Sequence, residues 1–433
     1  MSLNTALFLI KQMAFREFFV PLHIKVKTMN AKIIIGTYWQ WMLTTVFAVA
    51  VFCFWMFGLP FLMAAREQVQ LFLWNSDYLM ERLMVPGGLA QYLGEFVVQF
   101  FVKTVYGALW YAVLLVAVQL LTWMLLRSKQ RTAKSSWIYL LSFIPSIILW
   151  YLACNPKIPM TPIVAVLLTL VLMNLLPKHQ KFCWIAAFAM IPIGYWLLGP
   201  AVVLLALYPL FLRGSNVMLR IAPLIFLAFC VVGSSWLTPY PLKQIARGVD
   251  YYWEKETMGS LDEMAYDMLM RQQRWDEMIE KYQQKGSESL SVNNAVMVAM
   301  WQQKRITQQE ALSRINPDQR ALNNIPSAFL MSEYCMPIGL VNVSQRAAFE
   351  AMEAIPNYNK SARALQQLVQ TNMITGNPKV ALKYLSLLEQ TTFYRPWAGK
   401  MKDMVKQPEL MKQHPHLHQL KEIYDHGEDM LFY

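Results

Sequence analysis

The sequence predicts an all-α chain: a polytopic helical membrane domain of about seven spans, followed by an α-solenoid, tetratricopeptide-like exported domain. Three observations predict it. Of the 433 residues, 56% are hydrophobic and only 15% are charged, against roughly a quarter charged in an average chain. Residues 1–237 hold 17 Lys/Arg and 5 Asp/Glu, while 238–433 hold 22 of each, so the whole excess of +12 lies in the apolar half. The second half repeats a helical-hairpin pattern. This distribution excludes a single water-soluble globule, a disordered chain and a disulfide-stapled secreted domain. It also argues against nucleic-acid binding, because the positive charge is spread among apolar segments rather than gathered on one face.

The spans follow from length. A hydrocarbon core of roughly 30 Å needs about 20 apolar residues as helix. Segment 38–63 qualifies, with Trp39 and Trp41 as interface anchors. Segments 105–126, 137–154 and 217–237 also qualify, Arg220 reaching the interface, and 162–176 is a shorter one. The run 182–212 is too long for one pass and short for two; Gly199-Pro200 marks a turn inside it. Basic loops prefer the cytoplasm. Lys178, His179 and Lys181 precede this run and Arg213 follows it, so it is expected to cross twice. Arg127, Lys129, Arg131 and Lys134 then fall inside with the basic N-terminus (Lys25, Lys27, Lys32), leaving 13 of the 17 cations inside and 4 outside. Seven crossings put the tail outside, in the periplasm of a Gram-negative host; one crossing fewer would put it in the cytosol.

The expected organisation is a cytoplasmic N-terminus over 1–37, a transmembrane domain over 38–237 with an interfacial outer loop at 64–104, a helical domain over 238–410 and a tail over 411–433. Met29 is a natural start, so 1–28 reads as a spurious extension, and no signal-peptide pattern occurs there. Cys53, Cys154, Cys183 and Cys230 lie in or beside spans and Cys335 is alone in the tail, with no CxxC. The tail is thus expected to stand on its own packing.

In the tail, 261–284 places Ala265, Leu269, Trp275, Ile279 and Tyr282 at the spacing of a tetratricopeptide hairpin. Segment 364–388 matches better, with Gly376 at the turn, Ala381 at the crossing and Tyr384/Leu385 on the packing face. Gly339 and Ser344 repeat the Gly376/Ala381 offset 37 residues earlier, near the 34-residue helical period. Residues 290–315 supply a further hairpin. Such a solenoid is either a plain exported helical domain or a groove for a protein or glycan partner.

The outer loop carries the acids Glu67, Asp77, Glu81 and Glu95, and no Asp or Glu follows until Asp250. Around the Pro86-Gly87-Gly88 turn, Leu71, Trp74, Tyr78 and Leu79 form one flank and Leu89, Tyr92, Leu93, Phe96 and Phe100 the other. Two amphipathic helices at the outer interface are expected. The runs 86–101, 339–352 and 374–398 resemble an uncharacterised family of Bacteroidetes-type multi-span inner-membrane proteins with tetratricopeptide-like C-terminal tails. That resemblance covers most of the chain from Met29 onward and implies no activity.

The layout is also similar to that of membrane glycosyltransferases using lipid-linked donors. The similarity implies Asp77, or else Glu95, as the base for an acceptor hydroxyl, with Arg66 or Arg82 on a lipid phosphate. The plainer alternative is that Asp77, Glu81, Arg82 and Glu95 solvate the polar faces of interfacial helices. His414, His416 and His418 alternate as metal ligands can, with Asp425 and Glu428 nearby, or are incidental surface histidines. No Walker, GxGxxG, GxSxG, HExxH or SxxK pattern occurs, no cofactor is implied, and acid-free spans argue against a proton-coupled transporter. The chain therefore reads as an inner-membrane envelope scaffold or accessory subunit. Its partners are the bilayer and a protein held by the helical repeats. The alternative is a glycosyl- or phospho-group transferase on a lipid-linked substrate.

Overall fold

The computed structural model describes residues 31–128, 136–177, 180–211, 217–253, 258–318, 322 and 324–426. The start at Met29, Lys25, Lys27, the basic residues at 129–134, Lys178, His179, Arg213 and Glu428 lie outside the described residues, as do the side chains of Lys32, Lys181 and Cys183. The described chain is helical, with no strand. It divides into a short unit ending at Phe47 and a second unit, Ala48–Tyr433. The first is the leading part of α1 (Ala31–Cys53).

Among the described residues, four helices are long and apolar enough to cross a membrane: Tyr38–Gly58, Thr104–Arg127, Ile185–Leu210 and Arg220–Leu237; the shorter apolar helices are Trp137–Ala153 and Thr161–Leu175. In chain order, Pro60 at the first turn opens α2 (Pro60–Val69). The Asn75 side chain caps α3 (Ser76–Leu83) by accepting from the amides of Asp77 and Tyr78. Then come α4 (Gly88–Val98), α5 (Thr104–Ser128), α6 (Ser136–Leu141), α7 (Ile144–Ala153), α8 (Thr161–Leu175) and α9 (Gln180–Leu198). Gly88 has to be glycine, because a Cβ there would lie 1.8 Å from the Arg82 carbonyl oxygen. At Gly199 (φ +70°) the chain breaks into a 3₁₀ turn, α10 (Val203–Leu207) and a second 3₁₀ turn, ahead of α11 (Val217–Leu237) and the short α12 (Leu242–Arg247).

Four helical hairpins follow: α13 (Leu261–Arg271) with α14 (Trp275–Lys285), α15 (Leu290–Gln302) with α16 (Gln308–Arg314), α17 (Ile325–Cys335) with α18 (Val341–Glu353), and α19 (Ala362–Ile374) with α20 (Pro378–Leu388). All four close alike. A left-handed residue ends each first helix: Gln273, Lys304, Gly339 and Gly376, with φ of 54°, 56°, 86° and 77°. The next amide then reaches back to a carbonyl of the first helix, Arg274 to Leu269, Arg305 to Met300, Leu340 to Cys335 and Asn377 to Asn372, at 2.8–3.0 Å. This is the Schellman closure, recurring at intervals of 31, 35 and 37 residues. The chain ends in α21 (Arg395–Lys406) and α22 (Pro415–Asp425).

Two features depart from the expectations. Residues 70–75 are not helical. They run extended beneath the tail, where the Leu71 amide donates to Lys360 and the Trp74 amide to Gln390. Bonding to a distant segment outweighs the local helical pattern. The tail does not pack on itself alone either. Leu71, Phe72, Leu73 and Tyr78 of the loop share one apolar core with Leu365, Val369, Ala381, Leu385 and Leu388. A second core, around Tyr266, Ile279, Val296, Leu330 and Tyr334, joins the first three hairpins.

Candidate functional site

Charged side chains of the loop 64–104 are buried against the tail. Glu95 on α4 is fully buried and Arg82 on α3 is 4% exposed. Arg82 Nε lies 2.9 Å from the Glu95 carboxylate, and its terminal nitrogen donates to Asn359 Oδ1 of the tail at 2.5 Å. Gln91 donates to the other Glu95 oxygen at 3.0 Å, while the Tyr78 hydroxyl lies between Glu95 and the Leu71 carbonyl. Burial pushes the Glu95 carboxyl above its ordinary range, Arg82 opposing.

Beside it, Arg271 on α13 donates to Glu67 at 3.0 Å and to the Tyr394 hydroxyl, which also bonds Glu67. Arg363 on α19 joins three elements: Gln68 of α2 at 2.6 Å, Asp267 of α13 at 2.7 and 2.8 Å, and Glu333 of α17 at 2.6 Å. Burial pushes the Asp267 carboxyl up to about 6, because one guanidinium is shared between two carboxylates and cannot offset the desolvation. Asp250 is buried too, accepting from Thr161, Trp253 and Asn357 at 2.6, 3.0 and 2.9 Å.

The candidate catalytic residues separate. Glu95 and Arg82 come together, closed from solvent. Arg66 is 1% exposed and spent on the carbonyls of Ala153, Asn155 and Ile158 at 2.6–2.9 Å and on the Tyr111 hydroxyl. Asp77 and Glu81 are exposed. The solvating role expected for Arg82 and Glu95 fails, because both face the tail instead of water. His416 lines a groove, His418 lies 3.5 Å from Glu422, and His414 precedes α22. Among the described residues, no three His, Cys, Asp or Glu converge as metal ligands do.

That groove, about 340 Å³, lies along the first helices of the hairpins. Gln302, Gln367 and Gln370 line it with Gln273 of the first turn, Trp275, Met336, Arg271 and Glu333. No local pattern marks these amides, nor Arg271, Arg363 and Asn359, whose loop partners are far along the chain. Gln273 and Lys304, at the positions where the later hairpins have glycine, conceal the turn register.

No curated protein and no solved structure matches the sequence. A family model does, across residues 37–433, which takes in the apolar helices, the buried ionic junction and all four hairpins. The chain belongs to the family of unknown function DUF6057.

Proposed function

We propose that this chain is a multi-pass inner-membrane protein that presents a tetratricopeptide-like solenoid to the periplasm, as an envelope scaffold or accessory subunit. The observation that carries the reading is the groove. The first helices of four hairpins with one shared turn all contribute to its lining, which is rich in Gln amides, with Trp275 among them. Amides both donate and accept, so they suit an extended polypeptide or a glycan chain.

Seven crossings agree with the contacts. The loop 64–104 bonds the tail, Arg66 holds 153–158, Trp253 donates to Lys157, Gly87 donates to Trp196 and Tyr251 bonds Leu198. Segments held together in this way support a shared membrane face, and with it an even number of passes between residues 104 and 237. The arm from Gly199 to Phe211 supplies the returning pass. Its 3₁₀ turns rise about 2 Å per residue and stretch it to roughly 24 Å, most of the apolar core.

The test uses the full chain. Gln302→Trp and Gln370→Trp should fill the groove without touching Arg271 or Glu333. A partner recovered at fixed stoichiometry in mild detergent should be lost from both variants; a chain that purifies alone at native expression overturns the scaffold reading. Lys285→Cys, on an exposed helix end, should react with an impermeant thiol reagent once the outer membrane is opened. Labelling only after inner-membrane lysis would overturn the orientation.

A further inference from the structure

The two arginines that sequence layout offers to a phosphate, Arg66 and Arg82, are consumed inside the protein. The cations left open at the membrane face are elsewhere. The last apolar helix ends with Trp236 and Leu237 exposed, and five residues later α12 carries Lys243 and Arg247. Four residues apart on a helix, they share a face. Among the described residues neither makes an ion pair.

Both border a cavity of about 390 Å³, closed by Gln244, Tyr252, Trp253 and Asn357. That size falls within the range of small-molecule sites. Among the described residues, no Asp or Glu lines it. Asp250 is turned to Thr161, Trp253 and Asn357. The Arg247 guanidinium sits 4.4 Å over the Tyr252 ring, which fixes its plane and leaves its N–H edge free to fork onto oxygens. Leu242, exposed beside Lys243, adds an apolar contact toward the acyl region.

We propose that this cavity binds the phosphate of an anionic phospholipid headgroup in the leaflet that the tail faces. Arg247 takes two phosphate oxygens, Lys243 adds its charge, and Tyr252, half-buried, sets the headgroup depth. The lipid is the source because the site opens within one turn of a helix long and apolar enough to span. The inference needs that helix to cross the membrane and is independent of what the groove binds.

The experiment is native mass spectrometry of the full chain released from detergent with phosphatidylglycerol or phosphatidylcholine, with inorganic phosphate as competitor. The wild type should retain phosphatidylglycerol preferentially. Lys243→Gln with Arg247→Gln should weaken retention about 30-fold, from the usual worth of two cations near an anionic lipid. Both residues are exposed, so thermal unfolding should not move. Equal retention by the double variant overturns the site. Inorganic phosphate displacing the lipid at equal concentration overturns the lipid as its source.

Discussion

Removing Arg82 tests whether the loop 64–104 and the tail are one folded unit. Arg82→Met keeps the stem volume but leaves Glu95, fully buried, with only Gln91 and Tyr78 as partners, and leaves Asn359 Oδ1 without its donor. Stripping one partner from a buried ion pair costs about 3–5 kcal/mol. The loss should be felt where loop meets tail, at the Leu71 and Trp74 amides that donate to Lys360 and Gln390. Hydrogen exchange of the 70–75 peptide reads that opening directly. A change of this size lowers protection by roughly two to four orders of magnitude. Arg82→Met combined with Glu95→Gln should recover about 2 kcal/mol, since a neutral amide keeps bonds to Tyr78 and Gln91 without an orphan charge. Wild-type exchange in the single variant, or a double variant no better than the single, would refute the reasoning.

Three further outcomes follow from the same geometry. Gly88→Ala should abolish a monodisperse full-length product, because its Cβ meets the Arg82 carbonyl; Gly399→Ala, with nothing within 4 Å, should be tolerated, as size-exclusion chromatography would report. Arg66→Leu leaves three carbonyls without their donor and should lower thermal stability by about 3 kcal/mol or more. The Asp267 carboxyl, raised from 3.8 to about 6, takes up its proton in the folded chain before the unfolded one. Its contribution is therefore complete below about pH 4 and is lost as pH rises through 6, by about 3 kcal/mol in all. Asp267→Asn should flatten that part of the stability–pH curve.

What was legible in the sequence was local. Apolar runs long enough to span, the Gly199 break, and the hairpins at Gly339 and Gly376 each lie within one short window, where composition and turn chemistry suffice. The loop was only half legible. The spacing of Leu71, Trp74 and Tyr78 satisfies a helix, yet residues 70–75 are extended because their amides bond Lys360 and Gln390. Its acids were visible as a cluster, but Glu67 is held by Arg271 and Tyr394, and Glu95 by Arg82, which Asn359 binds from the tail. Pairing across some 200 to 330 positions leaves no periodic trace.

The junction also constrains how the groove can work. Arg271 and Glu333 line it, and the same two side chains hold Glu67 of the loop 64–104 and Arg363 of the tail. Arg363 in turn holds Gln68. The groove wall is thus built partly from the groups that fix the tail to the loop, and the loop supplies Leu71, Phe72 and Leu73 to the core of the tail. A tail cut free at residue 238 would expose that core and unpair Arg271. Whatever the groove holds therefore has to be sought with the whole chain, through the glutamines, which line the groove without holding the membrane half.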